Sequence, residues 1–268
     1  MSDTVYYVTS NQSTIGYRLQ GEGAPLVLLH GTGGDGEANW SGVVPYLINR
    51  QLMRPDYPGS GLSAPSLGAL DLDTLVHSVM AAVDDAGFEC FDLAGFSLGA
   101  ALALRLAKRF PGRVKRLALV NGFAHAQDAR SVEQFSLWHR LAMHDRPALA
   151  GLILLTGFSA DFIADLSHEE LRQMREAIVT NTCWPAMIQQ IALDMTLDVT
   201  PDLAFIDHPT LVLGSRLDHM VAPSASRFLA KRLSRSWLEW LDCAHLAPME
   251  APDRVAKALA GFLDAPAR

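Results

Sequence analysis

The sequence has little of what would place it outside ordinary globular chemistry. Its three cysteines, Cys90, Cys183 and Cys243, are odd in number and lack metal-ligand spacing. Neither a disulfide framework nor a zinc site is expected, and each thiol reads as a small buried hydrophobe. Basic charge is not in excess. The net charge is −7, whereas a nucleic-acid surface needs a basic stripe. Long apolar runs are missing too. The longest, residues 147–158, is too short to span a bilayer. Residues 1–12 are polar and hold no apolar stretch of the kind that marks a secretory signal. A cytoplasmic protein with no membrane insertion and no nucleic-acid partner is expected. His139 and His144 are five apart without an H-E-x-x-H pattern, so they read as packed or solvated side chains, and neither metal nor cofactor is expected.

What is present is a chain of 268 residues, 49% hydrophobic and 19% charged, long enough for one large α/β domain with an insertion. Residues 5–8 and 14–19 read as strands joined by a polar turn. Residues 25–30, PLVLLH, form a continuous apolar run between glycines, as a strand buried on both faces should. A glycine-rich turn at 31–36, a short helix at 39–48 and a strand near 51–55 follow. Further strands are expected at 91–96, 116–120, 210–214 and 236–241. Helices are expected at 71–86, closed by Gly87, at 98–110 with basic residues in its last turns, and at 224–233 and 252–263. Strands alternating with helices imply a mostly parallel sheet covered on both faces.

From residue 122 to 208 the strand pattern stops. Val132, Phe135, Trp138 and Leu141 recur every third residue, and Ser167 with Glu170 forms a capping-box pattern ahead of Leu171, Met174 and Ile178. Trp184, Met187, Ile188, Ile191 and Met195 fall on one helical face. The chain therefore divides into an α/β core, 1–121 with 209–268, and a helical insertion, 122–208.

Gly95-Phe96-Ser97-Leu98-Gly99 is a G-x-S-x-G sequence between an expected strand and an expected helix. A sharp turn there exposes the serine hydroxyl, and the glycines admit close neighbours. A hydroxyl is a weak nucleophile and needs a base. Asp218 and His245 follow in the order Ser, Asp, His, each in a loop after a core strand, where open α/β sheets place their sites. Asp242 competes with Asp218 but lies only three residues before His245 on the same strand-loop junction. The glycines after His30 would expose backbone N–H groups to a developing oxyanion. One donor is assigned to Leu98 and the second to Thr32, with Gly33 as the alternative. Candidate pocket residues are His30, Gly31, Phe96 and Leu246 beside these loops, and Trp138, Trp184 and Met187 of the insertion.

These pieces together resemble the α/β-hydrolase superfamily over nearly the whole chain: His30-Gly31, the Asp56-Tyr57-Pro58-Gly59-Ser60-Gly61-Leu62-Ser63 segment, the Ser97 turn, Gly214-Ser215-Arg216-Leu217-Asp218, and Ala244-His245 with Glu250-Ala251-Pro252. The resemblance implies the corresponding fold, a Ser-His-Asp triad, and a lid where the helical insertion lies. Departures narrow the chemistry. Ser97 stands where haloalkane dehalogenases and epoxide hydrolases carry aspartate, and the insertion has no tyrosine. Leu246 replaces the tryptophan common in carbon–carbon bond hydrolases, and Ala244 a usual glycine. What remains is hydrolysis, transfer or cyclisation of an acyl group from a small ester, lactone or thioester. Asp56 reads as a structural acid that fixes the 58–61 turn.

Two rivals stand beside this reading. A triad-bearing protein can act as a small-molecule receptor. Residues 31–36 also spell G-x-G-x-x-G with Asp56 twenty residues on, a dinucleotide-binding pattern. His30 before the glycines, with Gly42 and Pro45 inside the helix that must follow, argues against it. Charge adds one expectation. Residues 122–208 hold 12 acidic residues against 5 arginines and no lysine, while the rest of the chain balances at 17 of each sign. An acidic, aromatic cover should favour a neutral, apolar small-molecule substrate over a carrier-bound or anionic one.

Overall fold

The apolar runs become strands of one sheet in the computed structural model, which describes residues 3–10, 13–66 and 68–265. The strands are β1 (Thr4–Ser10), β2 (Ser13–Gln20), β3 (Ala24–Leu29), β4 (Arg50–Pro55), β5 (Phe91–Phe96), β6 (Val114–Val120), β7 (Thr210–Ser215) and β8 (Ser236–Leu241). Their order is β1-β2-β4-β3-β5-β6-β7-β8. The pairs β1–β2 and β2–β4 are antiparallel and every other pair is parallel. The expected fold class, an α/β-hydrolase fold with a mostly parallel sheet and helices on both faces, is the one observed. The polar turn expected between the first two strands falls on residues 11–12, outside the described residues.

The continuous apolar strands follow from cover on both faces. Val27 and Leu29 point into a layer shared with α2 (Leu72–Asp85), α3 (Leu98–Arg109) and α9 (Pro223–Arg232). Leu26 and Leu28 point the other way, onto α1 (Gly36–Trp40) and α11 (Pro252–Leu263). This is the two-residue period of a strand, read as two cores. From β3 the chain passes to β4 on one side and later to β5 on the other. The strand order thus reverses at β3, and a crevice opens between the carboxyl ends of β3 and β5. The turn after β3 carries Thr32, and the turn after β5 carries Ser97.

Between β6 and β7 the chain forms α4 (Ala129–His144), α5 (Arg146–Gly157), α6 (Ala160–Ala164), α7 (His168–Asn181) and α8 (Trp184–Thr196). A short neck closes its base, with His125 bridged to Asp198 and Val199 N–H donating to Ala124 at 2.7 Å. Three helices were expected here. The extra long one, α5, is the apolar run 147–158: it is apolar nearly all round, so it shows little periodicity to read. On α8 the buried face holds Met187, Gln190, Ile191 and Asp194, while Met195 is exposed. That corrects the face read from the sequence, which took the apolar residues and passed over the two polar ones. The helix expected at 39–48 is instead α1 followed by a single 3₁₀ turn at Val44–Tyr46. Gly42 and Pro45 sit where a longer helix would run. Of the cysteines, only Cys243 is buried; Cys183 is exposed and Cys90 half-buried. No helix among the described residues is long and apolar enough to cross a membrane.

Asp56 is buried, and its carboxylate accepts Gly36 N–H at 2.7 Å, Leu62 N–H at 2.8 Å and the Arg18 guanidinium at 3.1 Å. It therefore joins the turns at 36 and 62, and its amide partners lie just outside the 58–61 turn expected from the sequence. Charge-assisted bonds of this kind are worth about 1.5–3 kcal/mol. Asp56→Asn is expected to lower Tm by roughly 3–6 °C with turnover near that of the parent. Calorimetry beside steady-state kinetics checks this, and an unchanged Tm with turnover abolished would overturn the structural role.

Candidate active site

Ser97 joins β5 directly to α3 with φ 55° and ψ −118°, a left-handed conformation rare for a side chain larger than glycine. The strain is held by close packing around the turn. A Cβ on Gly95 would lie 2.1 Å from the Gly99 carbonyl oxygen, and one on Gly99 2.6 Å from that of Leu29. No other residue type fits at either position without moving backbone, so the two glycines of the motif are required sterically.

His245 Nε2 lies 3.1 Å from Ser97 Oγ, and His245 Nδ1 lies 2.8 Å from Asp218 Oδ2. All three residues are buried. The other Asp218 oxygen accepts the backbone N–H groups of Met220 and Val221 at 2.8 and 2.7 Å, which fixes the carboxylate's direction. With Asp218 accepting at Nδ1, Nε2 is free to accept the serine proton. Asp242 is on the surface, paired with Arg216 at 3.0 Å, and does not approach His245. The carboxylate facing the imidazole is that of Asp218.

Of the oxyanion candidates, Leu98 N–H opens α3 and has no partner among the described residues. Thr32 N–H has none either, whereas Gly33 N–H donates to Gln190 Oε1 at 2.8 Å. The neighbouring turn amides are also engaged, Gly31 N–H with Asn39 at 2.8 Å and Gly36 N–H with Asp56. The G-x-G-x-x-G turn thus offers no row of free amides to a pyrophosphate, and the five-residue α1 is no dinucleotide helix. Among the described residues no cluster of His, Cys, Asp or Glu could hold a metal ion.

One cavity reaches Ser97 and two larger ones adjoin it. A small one of about 50 Å³ is lined by Ser97, His245, Thr32, Phe96, Phe135 and Trp138. Through Thr32, Asn39, Ile153 and Leu246 it borders an apolar cavity of about 300 Å³, which Met174, Ile178 and Met187 also line. Through Phe135, Met220 and Val221 it borders a third of about 260 Å³, near His125 and Asp128. No lysine or arginine lines any of them. Phe96, Trp138, Met187 and Leu246 line these cavities. His30, Gly31 and Trp184 do not. The His30 ring is fully buried against Tyr57, with centroids 3.7 Å apart, and accepts the Tyr57 N–H at 3.1 Å. Gly31 provides room: a Cβ there would lie 3.1 Å from the Phe96 ring and 3.2 Å from Ser97 Cβ. Trp184 points its indole N–H at the Val179 carbonyl, 3.0 Å away, inside the insertion.

The insertion's acids also lie away from the large cavity. Asp202 pairs with Arg105 and Lys108 of the core at 2.5 and 2.8 Å, and Glu169 and Glu176 pair with Arg172 on the exposed α7. The large cavity's one charged lining residue is Asp35 of the core, and the insertion contributes mainly apolar side chains to its wall.

Sequence reading missed the groups that hold the site loops. Arg130 and Gln134 of α4 donate to the carbonyls of His219 and Met220, next to Asp218. Leu246 N–H donates to Gly157 O at 2.7 Å, and Glu250 Oε2 accepts both Ala244 N–H and Ser159 N–H, at 3.2 and 2.9 Å. Asn121, left-handed at φ 47°, donates to His245 O at 2.7 Å. Gln190 and Asp194 of α8 reach the turn at 32–33. The loops of Asp218, His245 and Thr32 are each tied to a different part of the insertion.

The comparisons agree with this architecture. A family model described as "Alpha/beta hydrolase family" matches residues 26–258. Pyrrolizixenacetamide deacetylase of Xenorhabdus hominickii is 37% identical over 96% of this chain and 97% of its own length. A 2-hydroxymuconate semialdehyde hydrolase of a Pseudomonas species, strain CF600, is 29% identical over 91% of this chain and 88% of its own. Among solved structures, the enol-lactonase from Burkholderia xenovorans LB400 superposes with a TM-score of 0.88 at 24% identity, over 97% of this chain and 100% of that one. With the family model matching most of its length, the chain belongs to the alpha/beta hydrolase family.

Proposed function

We propose that the chain is a cytoplasmic serine hydrolase that removes a small acyl group, acetyl above all, from a neutral amide or ester with an apolar leaving part. The observation that carries this is Ser97 Oγ at 3.1 Å from His245 Nε2 inside a cavity of only about 50 Å³. A water needs roughly 10–15 Å³ on this measure, so the space takes about four such positions, which suits the three heavy atoms of acetyl and little more. The adjoining cavity of about 300 Å³ suits the leaving part. The name of the Xenorhabdus relative, a deacetylase of an acetamide, supports the amide alternative to the ester, lactone or thioester expected from sequence.

In this reading Ser97 Oγ attacks the acyl carbon as His245 Nε2 takes its proton. The tetrahedral oxyanion is met by Leu98 N–H and Thr32 N–H. His245 then gives its proton to the leaving nitrogen or oxygen. Water, activated by the same imidazole, releases the acid and restores Ser97. Asp218 holds the imidazole tautomer and faces the positive charge that forms on it.

An acyl series tests the size limit. With p-nitrophenyl acetate, butyrate and octanoate, kcat/KM is expected to fall at least about 10-fold from acetyl to octanoyl, since overfilling a packed site costs roughly 1–3 kcal/mol. An aryl acetamide should be hydrolysed, and a carboxylate-bearing analogue of equal size should be poorer. A preference for octanoate or for the anion would sink the small, neutral acyl reading.

A further inference from the structure

Helix α8 presents two fully buried polar side chains one turn apart, Gln190 and Asp194, on the face that meets the turn after β3. Gln190 Oε1 accepts Gly33 N–H at 2.8 Å, while its Nε2 donates to Ser60 Oγ at 3.0 Å. Asp194 Oδ2 lies 2.6 Å from Thr32 Oγ1, and its Oδ1 has no partner. Buried polar groups are expensive unless they do something that apolar residues cannot. Here both bear on the two residues that compete to be the second oxyanion donor.

We propose that Gln190 and Asp194 are positioning residues for the oxyanion site: from α8 they engage the Gly33 amide and pin the Thr32 side chain, so that Thr32 N–H is the one left free and aimed at the substrate. This rests on the serine-hydrolase reading and deepens it. Three observations carry it. Gly33 N–H is already committed, so it cannot meet an oxyanion without leaving Gln190. Thr32 lines both the cavity at Ser97 and the large cavity beside it. The two anchors grip adjacent residues from one rigid helix, which leaves the intervening peptide little freedom to rotate.

The protonation state of Asp194 fits the role. Burial pushes its carboxyl up to about 8, against a smaller downward pull from the Thr32 hydroxyl. It is therefore neutral at and below neutral pH, and a negative charge appears beside the oxyanion turn only as pH rises through about 8. The titratable groups near it do not alter this. Burial lifts the Tyr57 phenol well above its usual range and lowers the His30 ring stacked on it, so both are uncharged. Asp35 and Asp56 on the flanking turns are held by the amides of Ala38, Gly36 and Leu62. The ionisable side chains of α4, which packs on α8, are exposed or half-buried, and none contributes to the shift.

The test uses the full-length protein with p-nitrophenyl acetate, at pH 6 to 10, with a trifluoromethyl ketone as transition-state mimic. Gln190→Leu is expected to lower kcat about 10–100-fold, below the loss of a whole donor, with KM changed less than about 3-fold and affinity for the ketone falling in step with kcat/KM. Asp194→Ala should lose about 10-fold in kcat, and Asp194→Asn should recover most of it. The parent should lose kcat as pH climbs through about 8, and Asp194→Asn should not. A normal kcat in Gln190→Leu, a loss confined to KM, or the same alkaline fall in Asp194→Asn would overturn the proposal. Ser97→Ala separates the two layers. If it keeps turnover, the serine-hydrolase reading itself fails; if it is dead while Gln190→Leu is normal, only the positioning role fails.

Discussion

Ser97→Ala is expected to lower kcat by about 10⁴–10⁶-fold while leaving the fold intact. Its left-handed backbone is held by the β5-to-α3 connection and by glycines packed against neighbouring backbone, none of which involves the hydroxyl. Alanine at φ 55° bears the same local strain that serine bears. The loss is large because, among the described residues, the Ser97 hydroxyl is the side-chain group that His245 Nε2 meets. A fluorophosphonate should label the parent at Ser97 and leave Ser97→Ala unlabelled, read by mass spectrometry of the peptide spanning β5 and α3. Labelling elsewhere, with turnover intact in Ser97→Ala, would remove the nucleophile assignment.

The second large effect belongs to Asp218. Asp218→Asn is expected to lower kcat by about 10⁴-fold. The amide that replaces Oδ2 or Oδ1 can still fill the space, but the site demands acceptors on both sides. Oδ1 accepts the Met220 and Val221 amides, and Oδ2 faces His245 Nδ1. An asparagine keeps its oxygen toward the two amides and turns its NH₂ to the imidazole. That fixes the wrong tautomer, with the proton on Nε2, where the serine proton must go. Asp242→Asn should be close to the parent, since Asp242 only meets Arg216 at the surface. Near-normal turnover in Asp218→Asn together with a dead Asp242→Asn would reassign the acid.

Much of this fold is legible in the sequence, and the reason is local. Buried parallel strands such as PLVLLH are continuous apolar runs, and the strand–serine–helix junction leaves its glycines as a record of backbone crowding. The meeting of Ser97, Asp218 and His245 follows from their places after β5, β7 and β8, parallel strands of one sheet. What stayed hidden depends on contacts made across the chain. Trp184 looked like a pocket residue because aromatics on a helix face could point either way; its indole instead caps α7's carbonyl at Val179. Gln190 and Asp194 stand among apolar neighbours on α8, and nothing in their own sequence names a partner. Only the approach of the turn after β3 turns them into partners. Their one signal was a polar residue three and then seven positions after Met187, on a face otherwise apolar. The acidic balance of the insertion was real, but a count cannot say that Asp202 is spent on Arg105 and Lys108.

The way the insertion grips the site has a consequence for how such a protein can change. α4 holds the loop of Asp218, the joint between α5 and α6 holds the loop of His245, and α8 holds the turn of Thr32. The same helices wall the cavities at and beside Ser97, which in the proposed reading choose the substrate. Selectivity and turnover are therefore inherited as one unit. A transplanted insertion from a relative would bring a new pocket but leave the donor's anchors facing the host's loops out of register. Drift in preference must then proceed by exchange of single wall residues such as Ile153, Met174 or Met187, which line the cavity without holding a site loop by a hydrogen bond.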